Sequence, residues 1–320
     1  GNNVFVAAVK GNFDDAQTGV KNIFTDESMI KMLEESGYAF SSANSINWGR
    51  LVPQIVYYIS AYLDLLKKDW ISEGEEFNVV VPTGNFGNIL AAYYAKKMGI
   101  PIGKLICASN KNKVLADFIN TGIYDRRREF YKTISPSMDI LISSNLERLL
   151  FELSDKQDDK VRKWMMELKE RGVYKLDSQT TSRLQDLFWG GYATEEQTME
   201  AIRQTYNEYG YVLDPHTAVG KWVYDAYRKE SKDKRKTVLV STASPFKFAS
   251  DVLRSIVGEE SIKDKDDFML INILSDISRM EIPAGLRELD KKPVLHNTLC
   301  SKEDMKNIIS SFLALDGVVK

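Results

Sequence analysis

In Asn78-Val-Val-Val-Pro-Thr-Gly-Asn-Phe-Gly-Asn88, an apolar β-branched run leads into a turn that contains two glycines. The turn opens directly into Ile89-Leu-Ala-Ala-Tyr-Tyr-Ala-Lys-Lys-Met-Gly99, which ends in lysines and a glycine, as helix C-termini often do. The first N–H groups of a helix have no intrahelical partner, and glycine has no Cβ to hold an anion away from the backbone. The pattern predicts a strand, a tight turn and a helix whose N-terminus can bind a phosphate.

Glycine spacing narrows the kind of phosphate that could bind there. No two glycines are two positions apart and no pair is five apart, so neither G-x-G-x-x-G nor G-x-x-x-x-G-K-[ST] occurs in the chain. Nucleotide binding through either motif is therefore excluded. From this stretch alone, Gly84 and Gly87 could equally serve only a tight strand-to-helix turn.

The rest of the chain alternates short β-rich runs with longer helical patterns. Such alternation is typical of parallel strands joined by helical crossovers, so we expect an α/β fold. The predicted strands are 4–9, 78–81, 104–108, 138–142 and 237–241. Helical spacing of apolar residues predicts helices over 14–37 and 47–68.

Changes in composition divide the chain into three expected regions. Residues 1–145 form an α/β region that carries the glycine turn. Residues 146–210 are charged, and we expect a helical segment without strands there, with its charges on a solvated face. Residues 211–320 return to the α/β style and end in helices.

Composition excludes several classes of partner and location. The 320 residues include 43 Lys and Arg and 45 Asp and Glu, so no net field attracts nucleic acid or an anionic membrane. The longest apolar stretch, 51–66, is interrupted by polar residues and is shorter than the roughly 20 residues of a membrane span. Cys107 and Cys300 are too far apart for the disulfide framework of a small secreted domain, so we expect a cytoplasmic protein.

Five segments, taken in order, resemble threonine synthases of the longer bacterial and fungal type. These enzymes depend on pyridoxal 5'-phosphate (PLP) and share fold type II, the tryptophan synthase β-like fold. The resemblance therefore implies parallel-sheet layers with flanking helices. The segments are Ser42-Ala-Asn-Ser-Ile-Asn-Trp-Gly-Arg50, Pro82-Thr-Gly-Asn-Phe-Gly-Asn88, Ser135-Pro-Ser-Met-Asp-Ile-Leu-Ile-Ser-Ser-Asn145, Asp214-Pro-His-Thr-Ala-Val219 and Ser241-Thr-Ala-Ser-Pro-Phe-Lys-Phe248.

The resemblance implies a set of cofactor-binding residues. Thr242 corresponds to the hydroxyl that meets the pyridine nitrogen of PLP. A neutral hydroxyl does not fix a proton on that nitrogen as a carboxylate does, so the electron sink is weaker. The residues implied for the cofactor phosphate are Thr83, Gly84, Asn85, Phe86, Gly87 and Asn88.

The resemblance also implies a reaction and its substrate. Threonine synthases are carbon-oxygen lyases that convert O-phospho-L-homoserine and water to L-threonine and phosphate. Two of the residues that could bind the substrate have an alternative role: Arg50 could form a structural salt bridge, and Lys247 could be an ordinary exposed lysine. His216 could face the site, or it could cap or pack a helix. No metal site is expected from the spacing of the two histidines. The tentative substrate residues are Ser42, Asn44, Ser45, Asn47, Arg50 and Lys247.

One residue that the family requires has no match in this sequence. In threonine synthases, the lysine that forms a Schiff base with PLP follows a His-Gly-Pro-Thr-like segment, upstream of the strand that corresponds to 4–9. Neither that segment nor its lysine occurs here, and Lys68-Asp69 lies after a helix, in the wrong place. We therefore expect an N-terminally truncated chain that contains no catalytic residue and is inactive by itself.

Two other functions remain open at this point. A threonine or serine dehydratase of the same fold would share the phosphate loop, although the segment Ser42 to Arg50 argues against it. A non-catalytic homologue could use the same fold to bind a ligand or a partner. Oligomeric state cannot be inferred from the sequence.

Overall fold

The computed structural model of the protein describes residues 3–11 and 13–314. Its α-helices are α1 (Phe13–Phe24), α2 (Glu27–Glu35), α3 (Trp48–Leu51), α4 (Ile55–Lys67), α5 (Gly87–Lys97), α6 (Val114–Thr121), α7 (Leu146–Leu153), α8 (Asp158–Arg171), α9 (Ser178–Leu187), α10 (Glu195–Tyr209), α11 (Pro215–Ser231), α12 (Ala249–Val257), α13 (Asp267–Ser278) and α14 (Met305–Phe312). Its strands are β1 (Ala7–Val9), β2 (Phe77–Pro82), β3 (Ile102–Ser109), β4 (Ile123–Asp125), β5 (Val173–Lys175), β6 (Phe188–Tyr192), β7 (Thr237–Leu239) and β8 (Thr298–Cys300).

The central sheet is parallel, as the alternation of strands and helices predicts. β6, β3, β2 and β7 lie side by side in that order, and every residue of β2 is buried. Val79 and Val81 pack in one apolar cluster with Leu90 of α5, whereas Val80 packs in another with Val223 of α11. Because successive side chains of a strand point to opposite faces, helices cover both faces of β2.

The chain divides into two compact units, each described here by itself. The smaller unit contains Gly1–Ala43 and Glu288–Lys320, and the larger unit contains Asn44–Arg287. In the smaller unit, β1 and β8 pair in parallel with Ala7 opposite Thr298. The larger unit holds the central sheet and an antiparallel pair formed by β4 and β5. The three regions expected along the sequence stay a prediction.

The strand expected at 138–142 is wrong. Pro136–Met138 form a 3-10 helix, and the buried carboxylate of Asp139 accepts hydrogen bonds from Asn110, Asn112 and Thr133 at 2.7–3.0 Å. The hydrogen bonds satisfy a charged group that would otherwise be costly to bury. The segment is therefore a loop built around Asp139, although its apolar residues resemble a strand.

Residues 146–210 contain strands as well as helices, contrary to the expectation of helices alone. β5 lies within this segment, and β6 forms an edge of the central sheet. β6 includes Gly190, where a Cβ would lie 2.8 Å from the carbonyl oxygen of Ala116. The close approach of α6 therefore requires glycine, and glycine also weakens the sequence signal for a strand.

Two of the predicted helices are each divided. The 14–37 pattern forms α1 and α2, because Asp26 caps α2 by accepting a hydrogen bond from the N–H of Met29 at 2.9 Å. The 47–68 pattern forms α3 and α4, separated by a 3-10 helix that contains Pro53. Of the strand expected at 4–9, only Ala7–Val9 pair as β1. No helix in the ranges 3–11 and 13–314 is long and apolar enough to cross a membrane.

Candidate functional site

A cavity of about 240 Å³ lies in the larger unit, where β2 ends and α5 begins. All seven residues predicted to bind the cofactor line it, together with Ser45 from the predicted substrate set. His216, which the sequence left open as a residue facing the site, also lines the cavity. The other lining residues were not assigned to the site from the sequence; they are Gln54, Pro82, Ser137, Met138 and Ala243.

The glycine turn and the first residues of α5 line this cavity. Phe86 adopts a left-handed conformation with φ of 60°, and α5 begins at the next residue, Gly87. The Phe86 side chain is 1% exposed and packs on Phe188, with ring centroids 5.8 Å apart. Phe86 therefore anchors the turn in the core and contributes only its backbone to the site. The N-terminus of α5 carries partial positive charge and unpaired N–H groups, which suits an anion.

The loop at Ser137 packs closely on Gly84. A Cβ at Gly84 would lie 2.5 Å from the carbonyl oxygen of Ser137, and a Cβ at Gly87 would collide with the side chain of Ser45. Carbonyl oxygens are fixed by the backbone and cannot rotate away, so Gly84 is the more constrained of the two positions. Both glycines thus serve close packing around the cavity, and not merely a turn.

Side chains that are distant in sequence hold the glycine turn by donating hydrogen bonds to its carbonyl oxygens. Ser143 Oγ donates to the carbonyl oxygen of Gly84 at 2.7 Å, and Asn145 Nδ2 donates to that of Asn85 at 2.9 Å. Arg148 Nη1 donates to the backbone carbonyl of Ser45 at 3.0 Å and also to Asn145 Oδ1. Asn145 ends the quoted segment 135–145, but nothing in the sequence indicated that Arg148 reaches Ser45.

Asn88 is held by a buried tyrosine. Tyr58 Oη donates to Asn88 Oδ1 and lies 3.1 Å from its backbone oxygen. Burial raises the pKa of Tyr58 well above its usual value, so the phenol keeps its proton and remains a donor. Because the amide oxygen of Asn88 accepts this hydrogen bond, its NH₂ group is left as a donor.

His216 lines the cavity, and both of its ring nitrogens have hydrogen-bond partners. It is buried, and its Nε2 accepts a hydrogen bond from the N–H of Ser137 at 3.2 Å. The ring proton is therefore on Nδ1, which lies 3.1 Å from Asp214 Oδ1 and donates to it. Asp214 also caps α11 by accepting from the N–H groups of His216 and Thr217. This arrangement matches the capping or packing alternative for His216 and holds Ser137 against Gly84.

Thr242 also lines the cavity, but it comes from a different element than the glycine turn. It follows β7, is exposed, and donates its N–H to Thr217 Oγ1 at 3.4 Å. The sheet order brings the ends of β2 and β7 together, which explains why Thr242 and the glycine turn share one cavity.

Of the predicted substrate residues in the larger unit, Asn44, Asn47, Arg50 and Lys247 are not among the residues that line this cavity. Asn44 Oδ1 accepts from the N–H of Ile46, and Asn47 Oδ1 caps α3 by accepting from Gly49, so both order local backbone. Arg50 and Lys247 are exposed and do not line the cavity. Ser42 belongs to the smaller unit. Their roles in substrate binding stay predictions.

Among the residues that the structure describes, no lysine lines the cavity. The part of the lining that the structure describes also contains no carboxylate and no arginine, so it would hold an anion by N–H groups, amides and hydroxyls. These donors fit a phosphate ester, and the described lining includes no amine for covalent attachment of an aldehyde.

No family model matches the chain, but the similar curated proteins and the similar solved structures are of the same kind. Threonine synthase-like 1 of Macaca fascicularis is 47% identical over 257 residues, which are 79% of this chain and 34% of that protein. The chain thus spans about a third of the length of this relative.

Solved structures extend the similarity to nearly the whole chain. The yeast threonine synthase structure matches 98% of this chain and 60% of its own, with a TM-score of 0.80 and 33% identity. A PLP-bound threonine synthase from Brucella melitensis matches with a TM-score of 0.75 and 34% identity, over 98% of this chain and 59% of that one. The predicted fold class and the predicted resemblance are both confirmed. Over the part that it spans, this chain is similar to threonine synthases and threonine synthase-like proteins, and it covers between about a third and three fifths of their length.

Proposed function

We propose that the cavity at the N-terminus of α5 binds the phosphate group of PLP. The observation that carries this proposal is the packing of the glycine turn: Phe86 is anchored in the core, Gly84 is packed on Ser137, and the first residues of α5 line the cavity. The similarity to a PLP-bound threonine synthase supports the same assignment.

Each part of the lining has a distinct role in this proposal. The backbone of 84–88 and the NH₂ group of Asn88 donate to the phosphate, while Thr83 and Asn85 complete the wall. Thr242 donates to or accepts from the pyridine nitrogen of the cofactor. When bound, PLP supplies an electron sink for breaking bonds at the substrate carbons. His216 orients Ser137 and does not act as a base, because both of its nitrogens are engaged.

We further propose that longer proteins that carry this region convert O-phosphohomoserine and water to threonine and phosphate. Ser45 is the predicted substrate residue that lines the cavity, so it is the best placed of that set to meet the substrate. This chain alone offers no lysine at the cavity among its described residues, and we infer that it is catalytically inactive by itself.

The unpaired thiols of Cys107 and Cys300 fit a cytoplasmic location.

Binding of PLP by the 320-residue chain tests the phosphate assignment. Equilibrium dialysis with PLP and with pyridoxal, which lacks the phosphate, separates recognition of the phosphate from recognition of the ring. We expect pyridoxal to bind at least about tenfold more weakly, because the charge-assisted hydrogen bonds are lost. Inorganic phosphate should compete with PLP. Equal affinity for PLP and pyridoxal would contradict the proposal.

The reaction class is tested on a longer protein that contains this region. Release of phosphate from O-phosphohomoserine, with no release of ammonia from threonine, is the expected result. Ammonia release from threonine would identify a dehydratase instead. Binding of O-phosphohomoserine without turnover, by a protein that does contain the lysine, would identify a non-catalytic homologue.

A further inference from the structure

A second cavity, of about 180 Å³, lies between α7, α8 and β5 in the larger unit. Its walls are mostly apolar, and they include Ile142, Leu146, Met165 and Leu168. Cavities of about 150 Å³ can hold a benzene-sized molecule, so this one has room for a small ligand of about seven non-hydrogen atoms.

The hydroxyl of Tyr174 is the unusual feature of this cavity. Tyr174 is 2% exposed, lines the cavity, and its Oη has no hydrogen-bond partner among the described residues. Tyr124 stacks on it with an interplanar angle of 3°, but the Tyr124 hydroxyl is fully used by the oxygen of Leu141 and the N–H of Ser143. Burial raises the pKa of Tyr174 well above its usual value, so its phenol stays protonated and is a donor. An unpaired buried donor of this kind is costly and points to an acceptor that binds beside it.

A carboxylate completes the chemistry of the cavity. Glu147 lies in the first turn of α7, lines the cavity, and is exposed. Glu147 and Tyr174 both line this cavity. The cavity thus combines an apolar wall, a neutral donor and a negative charge.

We propose that this cavity is a second ligand site, which binds a small branched aliphatic amine that carries a neutral oxygen. The oxygen accepts the hydrogen bond of Tyr174, the ammonium group pairs with Glu147, and the alkyl group packs on Met165 and Leu168. A carboxylate in place of the neutral oxygen would be repelled by Glu147.

The site is linked to the glycine turn through one residue. The N–H of Ser143 donates to Tyr124 Oη at 2.9 Å, and Ser143 Oγ donates to the carbonyl oxygen of Gly84 at 2.7 Å. Ser143 therefore lines the second cavity and also supports the first. We expect occupancy of the second cavity to change the amide signal of Ser143.

NMR of the 320-residue chain with labelled methionine methyl groups tests the proposal, with Met165 as the reporter. The probes are valinol, which has both polar groups, isoamylamine, which lacks the hydroxyl, and isoamyl alcohol, which lacks the amine. We expect saturable shifts of Met165, with valinol binding at least about fivefold more tightly than either of the others.

Two conservative variants assign the polar contacts. Tyr174→Phe should weaken valinol about fivefold and leave isoamylamine unchanged, whereas Glu147→Gln should weaken both amines and leave isoamyl alcohol unchanged. Tyr209→Phe, at a residue that is 71% exposed, is the matched control and should change nothing. Absence of a saturable Met165 shift would mean that the cavity holds only water, and undiminished valinol binding by Tyr174→Phe would mean that the phenol is not a ligand. Either result overturns the proposal.

Discussion

At Gly84 a side chain would collide with backbone, and this makes it the most constrained position of the candidate site. The carbonyl oxygen of Ser137, 2.5 Å from the place of a Cβ, is itself fixed because the N–H of the same residue donates to His216. The turn can accommodate a larger residue only by moving away from Ser137. Such a movement would displace the N–H groups at the start of α5.

Gly84→Ala should therefore lose affinity for PLP. We expect a decrease of at least about tenfold, since displaced N–H groups no longer donate to the phosphate with good geometry. Gly285→Ala is the matched control, because a Cβ at Gly285 meets nothing within 4 Å. Equilibrium dialysis of both variants checks this, and an unchanged affinity of Gly84→Ala would show that the phosphate binds elsewhere.

The hydroxyl groups of the stacked tyrosines Tyr124 and Tyr174 can be compared for their effect on stability. Tyr124→Phe removes a hydroxyl that serves two backbone groups, and we expect the free energy of unfolding to fall by about 1–3 kcal/mol. Tyr174→Phe removes a buried hydroxyl that has no partner among the described residues, so stability should be unchanged or should rise slightly. Urea denaturation without added ligand measures both, and a larger loss for Tyr174→Phe than for Tyr124→Phe would contradict the assigned contacts.

At the scale of elements, the local sequence predicts a strand or helix whose signal lies in one stretch, but it does not predict contacts that depend on packing between elements. The strand, the glycine turn and α5 were predicted because their signal is contained in one continuous stretch, 78–99. The support from Asn145 and Arg148 could not be predicted, because it depends on where α7 packs. β6 was missed because packing against α6 requires Gly190, and glycine lowers strand propensity.

The seven predicted cofactor residues come together because β2 and β7 are neighbours in the sheet. Most of the predicted substrate residues do not line the cavity. Except for Lys247, they were grouped by their position in one segment, 42–50, but the backbone of this segment turns, and the side chains of Asn44 and Asn47 bond to nearby N–H groups instead. A resemblance between sequences indicates which segments matter and does not fix where each side chain points.

The N-terminus of α11 depends on Asp214. The carboxylate accepts from two N–H groups, from His216 Nδ1 and from the hydroxyl of Thr217, all of them buried. Asp214→Ala should lower the free energy of unfolding by about 3 kcal/mol, because it removes the cap and leaves buried donors unpaired. Thr194→Ala, which removes the cap of α10, should cost only about 1 kcal/mol. Equal losses in urea denaturation would contradict the special role of Asp214.

At the scale of the whole molecule, one carboxylate links three elements of the larger unit. Asp233 accepts hydrogen bonds from Asn78 of β2, from Tyr227 of α11 and from Arg235, which precedes β7. Burial opposes the ionisation of Asp233, but the hydrogen bonds outweigh it and hold its pKa well below the usual value. The charged form is therefore favoured by the folded state.

Because the pKa of Asp233 is lowered in the folded state, the free energy of unfolding decreases as the pH falls into the acidic range. The contribution of Asp233 is fully present above the pKa of the unfolded chain, about 4, and is lost as the pH falls through the folded-state value. Asp233→Asn should be less stable at neutral pH and should show a shallower loss of stability between about pH 4 and pH 2. Asp125→Asn is the control, since Arg127 lowers the pKa of Asp125 to about 2 but the pair is exposed. Parallel pH profiles of the wild type and Asp233→Asn would refute the assignment.

The central claim is that this chain holds the phosphate of PLP but offers no lysine to bind the cofactor covalently. The cavity lining of glycine backbone, amides and hydroxyls supports the first part, and the second part stays a prediction from the sequence. Borohydride reduction of the 320-residue chain in the presence of PLP, followed by peptide mapping, tests both parts together. We predict that PLP protects no single lysine and leaves no stoichiometric pyridoxyl-lysine, although it binds reversibly. A stoichiometric pyridoxyl group on one lysine of this chain would contradict the account.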